Sequence, residues 1–479
     1  MWSIKYRLKN RQNQSQDVKR GTSKIQVMLI AILSGLFSMT TLANVTEFTL
    51  DNQMKVVVKE DKRAPVVVHQ VWYRIGSHYE HSGKTGISHM LEHMMFKGTE
   101  KLEPGEFSKV VARLGGKENA FTSTDYTAYY QIVEKRHLEQ LMRLESDRMR
   151  NIVLTDEEFI KERDVVTEER RWRTEDKPSG KLYEQFKATA FMSSPARHPV
   201  IGWMSDIRAW TAEDARSWYK QWYSPNNATL VVVGDVKPQQ VYEWAQKYYG
   251  QYAPEEIEKP RPQVEIKQQG ERRIIVKEAV KTPSVLMGFH APTLITAKNE
   301  AEKREVYALE LLVSVLDGDQ SSRLAKNLVR QQQLLAGVGA SYDGTDRLQT
   351  LFTFQATPSK DVTPEEAEQA IWKEINKLQT TLVEDKELKR VLAQTEAQYI
   401  YYQDSIQAQA NVIGSLVSVG LPVSTLDNWV DELRKVTPEE IKAVANKYLQ
   451  KDQLTVATLL PNGKTSNIKK SPYQRKGVH

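Results

Sequence analysis

Cysteine is absent from the 479 residues. That excludes disulfides and thiolate metal sites together, leaving His, Asp and Glu to hold any metal. Net charge is also missing from most of the chain. The formal +6 is carried by the N-terminal stretch, where Lys5, Arg7, Lys9, Arg11, Lys19, Arg20 and Lys24 face Asp17 alone. Beyond position 43 basic and acidic side chains balance at 60 each, so no net field argues for nucleic acid or an anionic membrane. Long uninterrupted apolar runs are lacking as well. The best candidate, residues 25–42, is broken by Ser34, Gly35, Ser38, Thr40 and Thr41, and a membrane helix needs about 20 apolar residues.

What is present at the start is a basic segment, that apolar run and the small residue Ala43, the pattern of a secretory signal cleaved after Ala43. An uncleaved membrane anchor is the alternative, and only then would the protein touch a membrane. The mature chain is expected in the periplasm or cell envelope. Its length exceeds one ordinary core and predicts two domains of about 200 residues. These are placed at 44–252 and 271–462, with a linker at 253–270 broken by Pro254, Pro260 and Pro262, and a basic tail at 463–479.

In the first domain β-branched and aromatic residues predict strands at 55–59 and 66–73, paired as a hairpin across the charged turn 60–63. A helix around 89–93 and another over 104–114 follow, then a strand-like run at 119–133 and a long charged helical region at 134–173. Strand 229–233 and helix 239–249 close this half; Trp203, Trp210, Trp218, Tyr219, Trp222 and Tyr223 have helical spacing and are read as core. Beyond the linker the order recurs: strands 273–278 and 284–290, helices 301–316 and 322–332, strand 348–356, long helices and strand 453–459. The recurrence predicts an α+β protein of two homologous domains, each a mainly antiparallel sheet with helices packed on one side.

Chemistry concentrates in His89-Met90-Leu91-Glu92-His93. On a helix His89 and His93, four apart, share one face and Glu92 sits at its edge. The order H-x-x-E-H is a known inverse of the H-E-x-x-H zinc signature. Catalytic zinc takes three protein ligands and keeps one position open, so a third ligand is needed. Glu162, Glu168 and Glu169 are the candidates; Glu162 and Glu169, two helical turns apart, face the same way, but spacing alone does not rank them against Glu168. In the second domain the matching helix offers Val306, Leu309, Leu312, Val313 and Leu316, and no metal site.

The flanking residues carry a resemblance. The runs Gly76-Ser77-His78-Tyr79-Glu80, Gly86-Ile87-Ser88, Met95-Phe96-Lys97-Gly98-Thr99, Asn119-Ala120 with Thr122, Glu145 with Asp147-Arg148-Met149, Glu162-Arg163-Asp164-Val165-Val166 and Tyr223-Ser224-Pro225-Asn226-Asn227-Ala228 resemble the pitrilysin family. The likeness is greatest to the short-chain branch that contains mitochondrial processing peptidase. It implies one zinc ion held by His89, His93 and Glu169, the last 76 residues beyond His93. It implies Glu92 as general base, Glu162 as the carboxylate supporting the catalytic site, and a peptide substrate added as a strand along the edge that begins at Asn119 and Ala120. The fold implied is half of a clam-shell chamber, completed by a second chain.

One departure stands out. The family completes the site with an Arg and, seven residues on, a Tyr from the silent half. Arg330 matches the first, but Gly337 stands in the tyrosine position and Tyr342 comes five residues too late. The resemblance therefore implies a dimer, either of like chains or with a paralogous subunit that supplies the pair. The competing class is a non-catalytic assembly or chaperone-like subunit.

Overall fold

The computed structural model describes residues 45–258, 261 and 263–464. The expected signal segment and the tail beyond Lys464 lie outside the described residues. The first half forms a six-stranded sheet from β1 (Val45–Thr49), β2 (Lys55–Glu60), β3 (Val66–Tyr73), β4 (Lys117–Thr122), β5 (Thr127–Glu134) and β6 (Ala228–Gly234), in the order β1-β2-β6-β3-β5-β4. The second forms a five-stranded sheet from β7 (Arg272–Glu278), β8 (Ser284–Ala291), β9 (Leu335–Ser341), β10 (Thr350–Pro358) and β11 (Leu454–Pro461), in the order β7-β11-β8-β10-β9. In each, the last strand is inserted between the first two of the repeat. β6 runs parallel to β2 and antiparallel to β3, and β11 runs parallel to β7 and antiparallel to β8. Apart from β1, the two sheets share both order and direction, as a duplication requires.

The insertion corrects the expected hairpin. Strands 55–59 and 66–73 form, but β6 lies between them. All seven residues of β6 are buried, and a strand apolar on both faces belongs in the middle of a sheet; a local turn signal cannot reveal a neighbour from far down the chain. The run 119–133 is two strands, β4 and β5, turned between Ser123 and Tyr126. The helical region 134–173 is interrupted near Ile152, which bridges to Thr99. Strand β9, rich in small residues, was not foreseen; its pairing with β10 holds it.

Two helices bear the site, α1 (Ile87–Met94) and α2 (Asp156–Arg170), and three more pack on the sheets, α3 (Pro178–Ala190), α4 (Glu300–Asp317) and α5 (Ile406–Val419). One face of the first sheet, through Val56, Val58, Val67 and Val71, packs with helices of its own half, α1 among them. The alternate residues Val57, Val68, Trp72, Val231 and Val233 meet Ala410, Ile413 and Val417 of α5, from the other half. Reciprocally, Leu182, Phe186 and Ala190 of α3 cover Leu286, Leu351, Ala457 and Leu459 of the second sheet. Helices on one side are thus only part of the architecture, because each half lends the other one helix for its second face. Contact is backbone-close: a Cβ on Gly414 would lie 2.0 Å from the Trp72 ring, and one on Gly288 2.5 Å from the Phe186 ring. No single helix among the described residues is long and apolar enough to cross a membrane.

Candidate metal centre

Helix α1 starts abruptly because Gly86 adopts φ 83°, a left-handed conformation open to glycine. A side chain there would also run 2.4 Å from the Ile201 carbonyl oxygen. The carboxylate of Glu80 accepts from the N–H groups of Gly86 at 2.6 Å and Ser88 at 2.9 Å, placing an acid where the helix dipole favours one. Burial nevertheless pushes Glu80 up to about 7. Ile87, Met90, Leu91 and Met94 enter the core, which leaves His89 and His93 on the face turned to α2.

Helix α2 begins at Thr155, whose hydroxyl accepts from the Glu158 N–H, and buries Phe159 and Val166. This orientation separates the three candidate glutamates. Glu168 is exposed and pairs with Arg171. Glu169 Oε2 lies 3.5 Å from His89 Nε2 and 3.3 Å from His93 Nε2, and Arg173 holds its other oxygen at 2.6 Å. Glu162 Oε1 accepts from His93 Nδ1 at 2.8 Å, while its other oxygen meets Lys97. One helix face therefore supplies both a carboxylate at the cluster and a carboxylate that orients a histidine, an arrangement common around metal-ligating imidazoles.

The electrostatics follow from burial and pairing. Burial, helped by the neighbouring charge of His93, drives His89 down to about 3. For His93 burial acts in the same direction, but pairing with the Glu162 and Glu169 carboxylates outweighs it and raises the ring to about 9. Burial opposes ionisation of Glu169, yet His93, His89 and Arg173 hold it at about 2. Glu162 is likewise held below the ordinary carboxyl range by His93 and Lys97 against burial. One ligand atom from each of His89, His93 and Glu169 lies within 4.8 Å of the others. Glu169 Oε2, buried among them, is approached by both imidazoles at ion-pair distance but makes no hydrogen bond. Two imidazole nitrogens and a carboxylate oxygen fit a zinc ion's donor preference.

Glu92 stands beside this cluster and outside it. Its Oε2 accepts from the Thr122 hydroxyl at 2.5 Å, and Thr122 is approached at 3.4 Å by Thr127, which itself donates to the Ile75 carbonyl at 2.9 Å. Burial raises the Glu92 carboxyl, against the pull of Thr122. No role for Thr122 was read from the sequence. The sequence places Thr122 on the same strand face as Ala120, two residues apart, but names no acceptor for its hydroxyl. β4 is the outermost strand of its sheet. Asn119 is a strand residue paired with Tyr130, and its Oδ1 accepts from the Ala120 N–H at 2.9 Å, so that N–H is held by the neighbouring side chain.

Two family models match the chain, one described as insulinase (peptidase family M16) over residues 55–202 and one as the peptidase M16 inactive domain over 209–395. The zinc protease PqqE of Helicobacter pylori is 32% identical over 450 residues, covering 93% of this chain and 99% of that protein. This chain belongs to the M16, or pitrilysin, family. It is a short-chain member. A crystal structure of a protease from Helicobacter pylori superposes with a TM-score of 0.82 at 31% identity, over 88% of this chain and 100% of that one. A probable mitochondrial-processing peptidase subunit beta of Arabidopsis thaliana is 28% identical over 201 residues, 42% of this chain and 38% of that protein.

The structure describes the three residues at which the expected Arg and Tyr pair was sought, Arg330, Gly337 and Tyr342. Arg330 is exposed on the helical segment Leu324–Gln331, and its side chain makes no hydrogen bond to a described residue. Tyr342 is buried, stacks on Phe352 and donates to the Pro292 carbonyl at 2.5 Å; it is committed to the core of the second half. Gly337 lies on β9, and a Cβ there would meet nothing within 4 Å. The tyrosine position is open space.

Proposed function

We propose that this chain is a zinc metalloendopeptidase that cuts peptides or unfolded segments outside the cytoplasm, with His89, His93 and Glu169 as ligands to one zinc ion. The observation that carries the reading is the convergence of two imidazole nitrogens and a buried carboxylate oxygen that makes no hydrogen bond, with Glu92 held beside them. Zinc, when bound, supplies Lewis acidity that brings water ionisation toward neutral pH. Glu92 takes the proton of the attacking water and returns it to the departing amine, and its raised affinity for protons suits both halves of that task. Glu162 fixes the His93 ring through Nδ1 and leaves Nε2 aimed at the cluster. The free edge of β4 at Asn119 and Ala120 receives substrate as an added strand through main-chain hydrogen bonds, which gives broad specificity.

The same reading assigns a leader at 1–43, a metal-bearing domain at 44–252, a linker at 253–270 and a metal-free domain at 271–462. It assigns the chain to half of a chamber closed by a second subunit. Arg330 without a tyrosine at 337 supports a partner that brings the missing donor for the substrate oxyanion. The test is metal analysis of the purified protein together with cleavage of a quenched peptide library by wild type and Glu92→Gln. Bound zinc, and cleavage lost in the variant, are expected. No zinc, or equal activity in both, would leave the non-catalytic subunit as the reading.

A further inference from the structure

A buried charged knot joins the two halves beside the metal centre, and the chemistry above makes no use of it. Asp125 lies in the β4–β5 turn with its side chain 2% exposed. Its Oδ1 accepts from His78 Nδ1 at 2.8 Å and from Arg347 Nε at 3.1 Å, and its Oδ2 accepts from the Arg347 backbone N–H at 3.1 Å. Arg347 comes from the other half, from the connection between β9 and β10. Its guanidinium lies 4.0 Å above the Tyr79 ring and reaches the His78 carbonyl at 3.4 Å. Burial opposes charge on Asp125, but His78 and Arg347 outweigh it and hold the carboxyl below its usual range. Removing one partner of such a buried set leaves the other uncompensated, so the set fixes geometry.

The knot is tied to the proposed reacting groups from two sides. On one, the N–H groups of Ser77 and His78 bond the Ser123 and Thr124 carbonyls at 3.3 and 2.8 Å. Gly76 runs so close that a Cβ would sit 2.3 Å from the Ser123 oxygen. That segment leads directly to Glu80, which caps α1. On the other side, the turn follows Thr122, whose hydroxyl holds Glu92.

We propose that Arg347, supplied by the half without a metal site, is a positioning residue for the general base: it locks the β4–β5 turn onto residues 76–80 and so holds Thr122 against Glu92. The proposal rests on the peptidase reading of Glu92. It also gives the metal-free half a part in the reaction that depends on no metal ligand of its own.

The test compares full-length wild type, Arg347→Ala, Arg347→Lys, Thr122→Val and the double variant Arg347→Ala/Thr122→Val, in whichever assembly the wild type is active. Bound zinc, kcat and KM on a quenched peptide, and amide hydrogen exchange are measured. Arg347→Ala is expected to keep its zinc and lose roughly 10- to 100-fold in kcat, with KM changed less than about threefold, since displacement of a catalytic group by about 1 Å costs on that order. Thr122→Val should lose a similar factor, and the double variant no more than the worse single one, because both act through one hydrogen bond. Arg347→Lys, which keeps the charge and lacks the planar fork, should recover part of the loss. Amides of 119–126 should exchange faster in Arg347→Ala while those of β8 and β11 do not change.

Losses that multiply in the double variant, an unchanged kcat in Arg347→Ala, or zinc lost in step with activity would each overturn the proposal. If Arg347→Ala does not fold, the same comparison is made with Arg347→Lys. A wild type that binds zinc and cleaves nothing overturns the peptidase reading instead. The lock is then judged on exchange alone, and unchanged protection of 119–126 removes it.

Discussion

The two halves build the same sheet and then place different contents on the helix that leaves its second strand. After β3 comes α1, eight residues long, capped by Glu80 and divided between core side chains and the two histidines. After β8 comes α4, eighteen residues long, which buries Val306, Leu309, Leu312, Val313 and Leu316. The strand order asks only for an apolar helix at that position, so the fold survives without the chemistry. The second half, in which no candidate metal cluster occurs among the described residues, still contributes to the first through its packing: α5 covers the Trp72 face of the first sheet, and Arg347 reaches the turn beside Glu92.

That contrast separates chemistry from stability, and the largest expected effect tests the separation. Glu92→Gln should cut cleavage by ~10²- to 10⁴-fold, the usual worth of a general base, with zinc content and thermal unfolding unchanged. Leu312→Ala on α4 should do the reverse, lowering unfolding free energy by about 2–5 kcal/mol while kcat per folded molecule stays the same. Urea titration and active-site-normalised kinetics check both. A large fall in kcat for Leu312→Ala would mean that the second half is coupled to the reaction through its core as well as through Arg347.

The next effect sharpens the difference at β9. Gly337→Tyr puts a hydroxyl where the proposed reading finds one missing, into space that is free around a Cβ, and tyrosine suits a strand. If pairs of this chain lack only that donor, kcat should rise by up to ~10²- to 10³-fold, the typical worth of one oxyanion donor. An unchanged rate in an already active homodimer would show that another residue fills the role.

Legibility in the sequence followed the range of the interactions. His89, Glu92 and His93 were readable because three- and four-residue spacing on a helix is local. Glu169 needed more, and the structure supplies the physical reason that Glu168 falls away: it points to solvent and Arg171, while positions 162 and 169 share the face toward α1. The duplication was readable from the order of elements. The insertion of β6 between β2 and β3 and the exchange of α3 and α5 were not, since each depends on partners distant in the chain. Thr122 and Arg347 were missed for the same reason: a hydroxyl on a strand and one arginine in a connection become informative only when their acceptors are known.

The smallest effects test whether the helix exchange is symmetrical. Gly414 sits inside α5, where alanine would ordinarily gain about 1 kcal/mol of helix propensity. Its Cβ, however, would fall 2.0–2.5 Å from three atoms of the Trp72 indole. That ring is held by a hydrogen bond from its Nε1 to Gln70 at 2.8 Å and by edge contacts with Phe121 and Tyr126, so it has little room to yield. Gly414→Ala should therefore destabilise by about 1–3 kcal/mol, the usual range for overpacking. Gly288→Ala meets one edge of Phe186, at 2.5 Å for Cζ and 3.3 Å for Cε2, on a side chain whose ring tip can shift with α3. Replacing a strand glycine also recovers up to about 1 kcal/mol of backbone entropy, so the net cost there should stay below about 1 kcal/mol. Urea unfolding of both variants decides the matter. Because each half completes the other's core, both should unfold in a single transition with the wild-type slope. Two separated transitions, or a larger penalty at Gly288 than at Gly414, would mean that the halves are stable apart and the exchanged helices are dispensable cover.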